Sequence, residues 1–144
     1  MLFRSGVIIH HSGYSFEYSE KHEQARWVAY QLTASETHPI VGRSNHFIPD
    51  DHVATGTATE SDYKGSGYDR GHLAPAADME WSETAMRESF YFSNMSPQVK
   101  GFNEGIWKKL EEQVRDWAAL YDTLYVVTAG VLNDSLRNIG PHHV

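Results

Sequence analysis

The chemistry of this 144-residue chain concentrates in one run: Tyr68, Asp69, Arg70, Gly71, His72, Leu73, Ala74, Pro75, Ala76, Ala77, Asp78 and Met79. Histidine is the usual proton acceptor near neutral pH. If the segment is extended, side chains alternate between faces, so Arg70 and His72 share one. An arginine there offers a rigid, permanently charged fork to phosphate oxygens, and Gly71 lets the backbone approach its surroundings closely. Pro75 ends the extended stretch and can open a helix. A base, a phosphate-holding cation and nearby carboxylates make the run read as a phosphodiesterase site. By residue type alone, a histidine beside an arginine also fits a surface or packing pair.

Two further polar residues stand where a metal could use them. Asn103 opens the most regular helical pattern in the chain, where its amide oxygen can cap the helix or ligate a hard cation. Glu111 lies eight residues on, about 12 Å along and about 80° around a helix axis, too far for both to ligate one ion directly. Because helical side chains lean toward the N-terminus, Glu111 can still point back at the water shell of an ion on Asn103. A solvated helix glutamate is the alternative.

The twelve-residue run closely resembles the signature of the DNA/RNA non-specific endonucleases, the ββα-metal nucleases that include endonuclease G. The likeness extends to residues 25–32, 91–98 and 102–111, in the order the family has them. The resemblance implies an α+β fold, with a ββα-metal (His-Me finger) core on a mainly antiparallel sheet. It implies Mg2+ as cofactor, with Mn2+ possible, held by Asn103 as the single protein ligand, and Glu111 orienting metal-bound water. His72 is then the general base and Arg70 the phosphate holder, while Asp69 is a structural or water-orienting carboxylate. Arg43 is the candidate second arginine that neutralises transition-state charge. Asn94 matches a family asparagine near the site; it could contact substrate or, like Gln98, satisfy buried backbone groups. The implied activity is sequence-tolerant endonucleolytic cleavage of DNA and RNA to 5′-phosphate and 3′-hydroxyl ends. A secreted or periplasmic location is also implied. A catalytically silent binding domain on the same fold is the alternative, and the presence of His72, Asn103 and Glu111 counts against it.

Composition allows this. The length suits one domain over residues 1–144, and 40% apolar with 12% aromatic residues is ordinary for a globular chain. The net charge of −7 argues against a broad grip on a polyanion but permits a local basic cleft. No apolar run is long enough to span a membrane. Residues 1–13 do not read as a signal peptide, since their only apolar stretch is short and carries His10 and His11. Without cysteine, any metal must be held by oxygen or imidazole. The pairs His10/His11 and His142/His143 lack the spacing that makes a zinc pattern specific. Gly65, Ser66 and Gly67 lack the lysine and following helix of a phosphate-binding loop, and there is no Gly-x-Ser-x-Gly elbow.

The elements that must position these residues can be read from periodicity. Residues 7–11 and 27–33 predict strands, with a turn or short helix over 17–24 between them and a weaker strand at 46–48. Residues 50–67 predict mostly loop. Ser82 caps a helix over 83–90, and 91–93 predicts a short strand broken by Ser96 and Pro97. Phe102, Ile106, Leu110, Val114 and Trp117 predict a helix over 102–120 whose apolar face packs on the sheet. A strand at 124–128 comes next, then a polar tail over 132–144. Family domains continue beyond that strand, so the chain reads as shortened at its C-terminus, and uncovered apolar surface predicts a homodimer.

Overall fold

The computed structural model describes residues 6–144; residues 1–5, which open the stretch weighed as a signal peptide, lie outside it. Two antiparallel sheets and a set of short helices give the expected α+β class. The larger sheet has the order β1 (Ile8–His10), β2 (Ser15–Ser19), β3 (Gln24–Thr33) and β6 (Thr123–Thr128). The smaller pairs β4 (Asp69–His72) with β5 (Met95–Gln98). Helices α1 (Glu60–Tyr63), α2 (Glu83–Ser89), α3 (Lys100–Phe102) and α4 (Lys108–Tyr121) complete the chain. Among the described residues, no helix is long and apolar enough to cross a membrane.

Strand β3 shows why the larger sheet holds. Val28, Tyr30 and Leu32 alternate onto one face and are buried with Phe16 of β2, while Gln31 faces out. Val114 packs against this cluster from α4, and Ala118 is fully buried in it. The helix therefore lies on the sheet through a narrow stripe of small and branched residues.

Five local expectations are corrected. Within residues 17–24 the chain begins as strand, since Ser15–Ser19 pairs with β3, and only residues 20–23 form the turn between them. Phe16 and Tyr18 alternate inward, a period obscured by the polar Ser15, Glu17 and Ser19. Residues 91–93 are not a strand: Phe92–Asn94 forms a 3-10 turn, and the strand comes after it as Met95–Gln98. Pro97 is tolerated there because it pairs opposite Arg70 in a two-stranded ribbon, where every strand is an edge.

The long helix is also interrupted. Residues Asn103–Trp107 form a wide turn in which Gly105 leaves helical geometry (φ −103°, ψ −109°), so regular helix begins only at Lys108. Its expected apolar face is largely outside: Phe102, Ile106, Leu110 and Trp117 are 42%, 64%, 47% and 43% exposed. The break shifts the phase of the first two residues, and the inward face of α4 is taken by Glu111, Val114 and Ala118. The weak 46–48 strand reduces to one parallel bridge between Ile48 and Tyr91. The tail has no regular element, yet Ile139 and Val144 are buried against Tyr63, Phe92 and Met95.

Candidate active site

The signature run enters as strand β4, and its glycine is there for space. A Cβ on Gly71 would collide with the Gln98 side chain on β5. The close pairing sets His72 opposite Met95 at the end of the ribbon. Beyond it, the backbone is fixed by a fully buried amide: Asn94 accepts from Ala74 N (2.9 Å) and donates to Ala74 O (2.9 Å) and Ser89 O (2.8 Å). Asn94 is thus corrected from a substrate contact to a clamp, because an amide with no exposed surface cannot reach a ligand. From the other side, Trp107 donates to His72 O at 3.3 Å.

The His72 ring stands edge-on to Phe90 (4.7 Å between centroids) and Phe47 (5.9 Å). The same two rings carry the arginines. The Arg70 guanidinium lies 3.7 Å from the Phe47 centroid and that of Arg43 5.0 Å from the Phe90 centroid. Arg70 also pairs with Glu60, and Arg43 donates to Asn45 Oδ1 at 2.7 Å. Both pairings are exposed, so either arginine can exchange its partner for a phosphate at small cost.

Burial first, then the charges of Arg43 and Arg70, lower the His72 pKa to about 3. The imidazole is neutral throughout the physiological range. Its Nε2 is buried and has no hydrogen-bond partner among the described residues. Leaving a buried polar atom unpaired costs about 1–3 kcal/mol, a penalty that a purely structural histidine has no reason to carry.

Arg43, Arg70, His72, Asn103 and Glu111 line one cavity of about 200 Å³, joined by Lys108 and Arg115. Four cationic side chains against one carboxylate make this the local basic cleft that an acidic chain requires for a polyanion. Asp69 lies beside it, lining an adjoining groove of about 320 Å³ that shares Arg70 and Asn103 and adds Tyr63, Lys64 and Tyr68. The Asn103 side chain does not cap a helix. Its Nδ2 donates to Asp69 Oδ2 at 3.0 Å, which leaves Oδ1 as the atom able to meet a hard cation. Glu111 faces the same cavity, and its pKa is raised to about 7, first by burial and then by the charge of Asp78. An amide oxygen fixed by a carboxylate, with a second carboxylate across the cavity, fits an ion that keeps most of its water.

Two more residues belong to the surroundings of the cleft: Arg115, which lies outside the motifs, and Asp78, which the signature run contains without a role assigned to it. Asp78 is fully buried, accepts from Tyr30 Oη (2.6 Å) and Arg115 (3.0 Å), and so fixes the arginine beside Glu111. Burial pushes its carboxyl up even so. Arg115 stands four residues after Glu111, the helical spacing at which side chains are neighbours, and that signal was present in the sequence.

Comparisons with known proteins identify the family. The family model described as DNA/RNA non-specific endonuclease matches residues 2–144. "Endonuclease G, mitochondrial" of Bos taurus is 41% identical over 119 residues, 81% of this chain and 40% of that protein. "Nuclease 1, mitochondrial" of Schizosaccharomyces pombe is 46% identical over 88 residues, 60% of this chain and 27% of the relative. "Nuclease" of Syncephalastrum racemosum is 38% identical over 138 residues, 92% and 43% of the two chains. A chain in a crystal structure of an EndoG/EndoGI complex superposes with TM-score 0.89 at 32% identity, covering 97% of this chain and 63% of that one. The chain thus spans 27% to 43% of the length of these three curated relatives. Since the family match runs through β4, β5 and α4, the elements that carry the cleft, the chain belongs to the DNA/RNA non-specific endonuclease family.

Proposed function

We propose that the chain hydrolyses phosphodiester bonds in DNA and RNA without regard to sequence, depends on Mg2+ with Mn2+ as a substitute, and leaves 5′-phosphate and 3′-hydroxyl ends. The observation that carries this reading is His72: a neutral imidazole that lines the cleft together with Arg43 and Arg70. His72 takes a proton from water as it attacks phosphorus. Arg70 and Arg43 hold the non-bridging oxygens and meet the charge that grows on them. Asn103 Oδ1 would hold the metal, with Asp69 keeping that amide turned, and Glu111 would orient the water on the ion. When bound, the ion supplies Lewis-acid stabilisation of charge at the phosphate and the leaving oxygen. Sequence tolerance arises because every group named engages the phosphate or the ion, neither of which carries base information.

The outward apolar residues of α4, Leu110, Trp117 and Leu120, support self-association as a homodimer through that face of the helix. Sedimentation equilibrium over a wide concentration range tests that part: a monomer throughout refutes it. The activity is tested by incubating the purified chain with plasmid DNA and with RNA, in Mg2+ and in chelator. Metal-dependent nicking of both that disappears in His72→Ala is expected. Cleavage by His72→Ala at the parent rate would overturn the mechanism.

A further inference from the structure

Away from the cleft, three residues that are distant in sequence converge. His11 sits in the tight turn between β1 and β2, closed by His11 N donating to Tyr14 O at 2.8 Å. Asp50 and His52 lie on the loop after Ile48. His11 Nε2 is 2.7 Å from Asp50 Oδ2, and His52 Nδ1 is 3.3 Å from Asp50 Oδ1. The ligand-capable atoms of the three residues all lie within 4.8 Å of one another.

The second nitrogen of His11 decides what lies between them. His11 Nδ1 is 2.8 Å from Glu88 Oε2, so with Nδ1–H donating to that carboxylate Nε2 is the atom a metal ion would take. At 2.7 Å the Nε2 and Asp50 Oδ2 atoms are at hydrogen-bond distance, so a proton lies between them in the metal-free protein, and a metal ion would take that proton's place on Nε2 with a small separation of the two ligand atoms. The side chains of His11 and Asp50 are 1% and 0% exposed and that of Glu88 is 8%. One proton on His11 leaves two sequestered carboxylates balanced by a single positive charge, whereas a divalent ion balances both. Asp50 is further fixed by Ser93 Oγ (2.6 Å) and His52 N (3.0 Å), which donate to its two oxygens. His52, with its side chain 61% exposed, keeps one side open to water.

We propose that His11, Asp50 and His52 form a transition-metal site of the Zn2+ type, distinct from the magnesium position at Asn103, with Glu88 orienting the His11 ligand. Two imidazole nitrogens and one carboxylate suit zinc, while Mg2+ prefers oxygen throughout. The site pins the β1–β2 turn to the loop ahead of the cleft and to α2. It uses neither neighbouring histidine pair as a pair: His10 turns away to Ser15 (2.7 Å), and His142 meets Asp62 (2.8 Å).

The test is calorimetric titration of tag-free, chelator-stripped protein with Zn2+, in excess Mg2+ to occupy the Asn103 position. Co2+ replaces zinc in a parallel experiment that reads visible absorption. One equivalent is expected to bind, to raise the melting temperature, and to lose about tenfold or more in affinity in His52→Ala. His52 is exposed, so that variant keeps the fold, which circular dichroism checks. Asn103→Ala leaves zinc affinity unchanged. Absence of a one-to-one site, equal affinity in His52→Ala, or loss of the site in Asn103→Ala would each overturn the proposal.

Discussion

His11 and His72 are both buried imidazoles packed among aromatic rings, and their electrostatic surroundings are opposite. His11 has Tyr14, Phe16 and Tyr91 around it and a carboxylate at each nitrogen. His72 has Phe47 and Phe90, two arginines nearby, and no partner on Nε2. The apolar wall is common to both; the charge beyond it differs. A carboxylate at each nitrogen makes the first imidazole a fastening between Asp50 and Glu88. Arginines keep the second neutral with its lone pair free, which is the state a general base needs. Burial alone therefore does not separate a structural from a chemical histidine, whereas the sign of the neighbouring charge does.

The contrast breaks most sharply if the two residues are exchanged for alanine. His72→Ala is expected to lower the cleavage rate by about 10²–10⁴-fold while leaving nucleic-acid affinity, read by fluorescence anisotropy, nearly intact. Loss of affinity on the same scale would mean that His72 holds substrate. His11→Ala is expected to do the reverse. Removing the hydrogen-bond partner shared by two sequestered carboxylates costs about 3–5 kcal/mol in urea unfolding, and the folded fraction cleaves at the parental rate. A stable His11→Ala protein would show that Asp50 and Glu88 do not need it.

A smaller effect sharpens the metal side. Glu111→Gln should lower activity by about 10–100-fold and retain metal binding, as expected of an outer partner, while Asn103→Ala loses the ion. Because the Glu111 carboxyl is raised to about 7 in the metal-free protein, it takes a proton as pH falls through neutrality. Magnesium affinity should then weaken from pH 8 to pH 6, and Glu111→Gln should flatten that dependence. Calorimetry at the two pH values decides it.

The mildest effect concerns His72 itself. Its folded pKa of about 3 lies below the ordinary 6.5, so its contribution to stability is complete above pH 6.5 and is lost as pH falls toward 3. Chelator-treated protein should show no His72 ring titration near pH 6.5 by NMR. A transition there would mean that the ring is solvated.

Much of the cleft was legible because its residues are chemically rare and tightly spaced: His72 and Arg70 share one short strand, and Asn103 and Glu111 flank one break. Their own side chains carry the signal. Asn94 was legible as a position but not as a role, since clamp and contact use the same amide. The face of α4 was misread for a physical reason. An apolar stripe points to Leu110 and Trp117, but the inward side carries Glu111 and Arg115 because it forms a wall of the cleft. A functional helix hides its buried face by making it polar. Strand β2 was missed because Glu17 and Ser19 interrupt the apolar run, although Phe16 and Tyr18 still alternate. Partners such as Asp78 with Tyr30, or His11 with Asp50, are 48 and 39 residues apart, and no local pattern announces such pairings.

The buried Asn94 amide has a consequence in time as well as in space. By joining Ala74, two residues past His72, to Ser89 at the end of α2, it ties the segment that carries His72 to that helix. The Ala74 amide hydrogen should therefore be among the last to exchange with deuterium, opening only when α2 opens. Thermal inactivation should then track the loss of that helix rather than precede it, leaving no temperature window in which the protein is folded but inert.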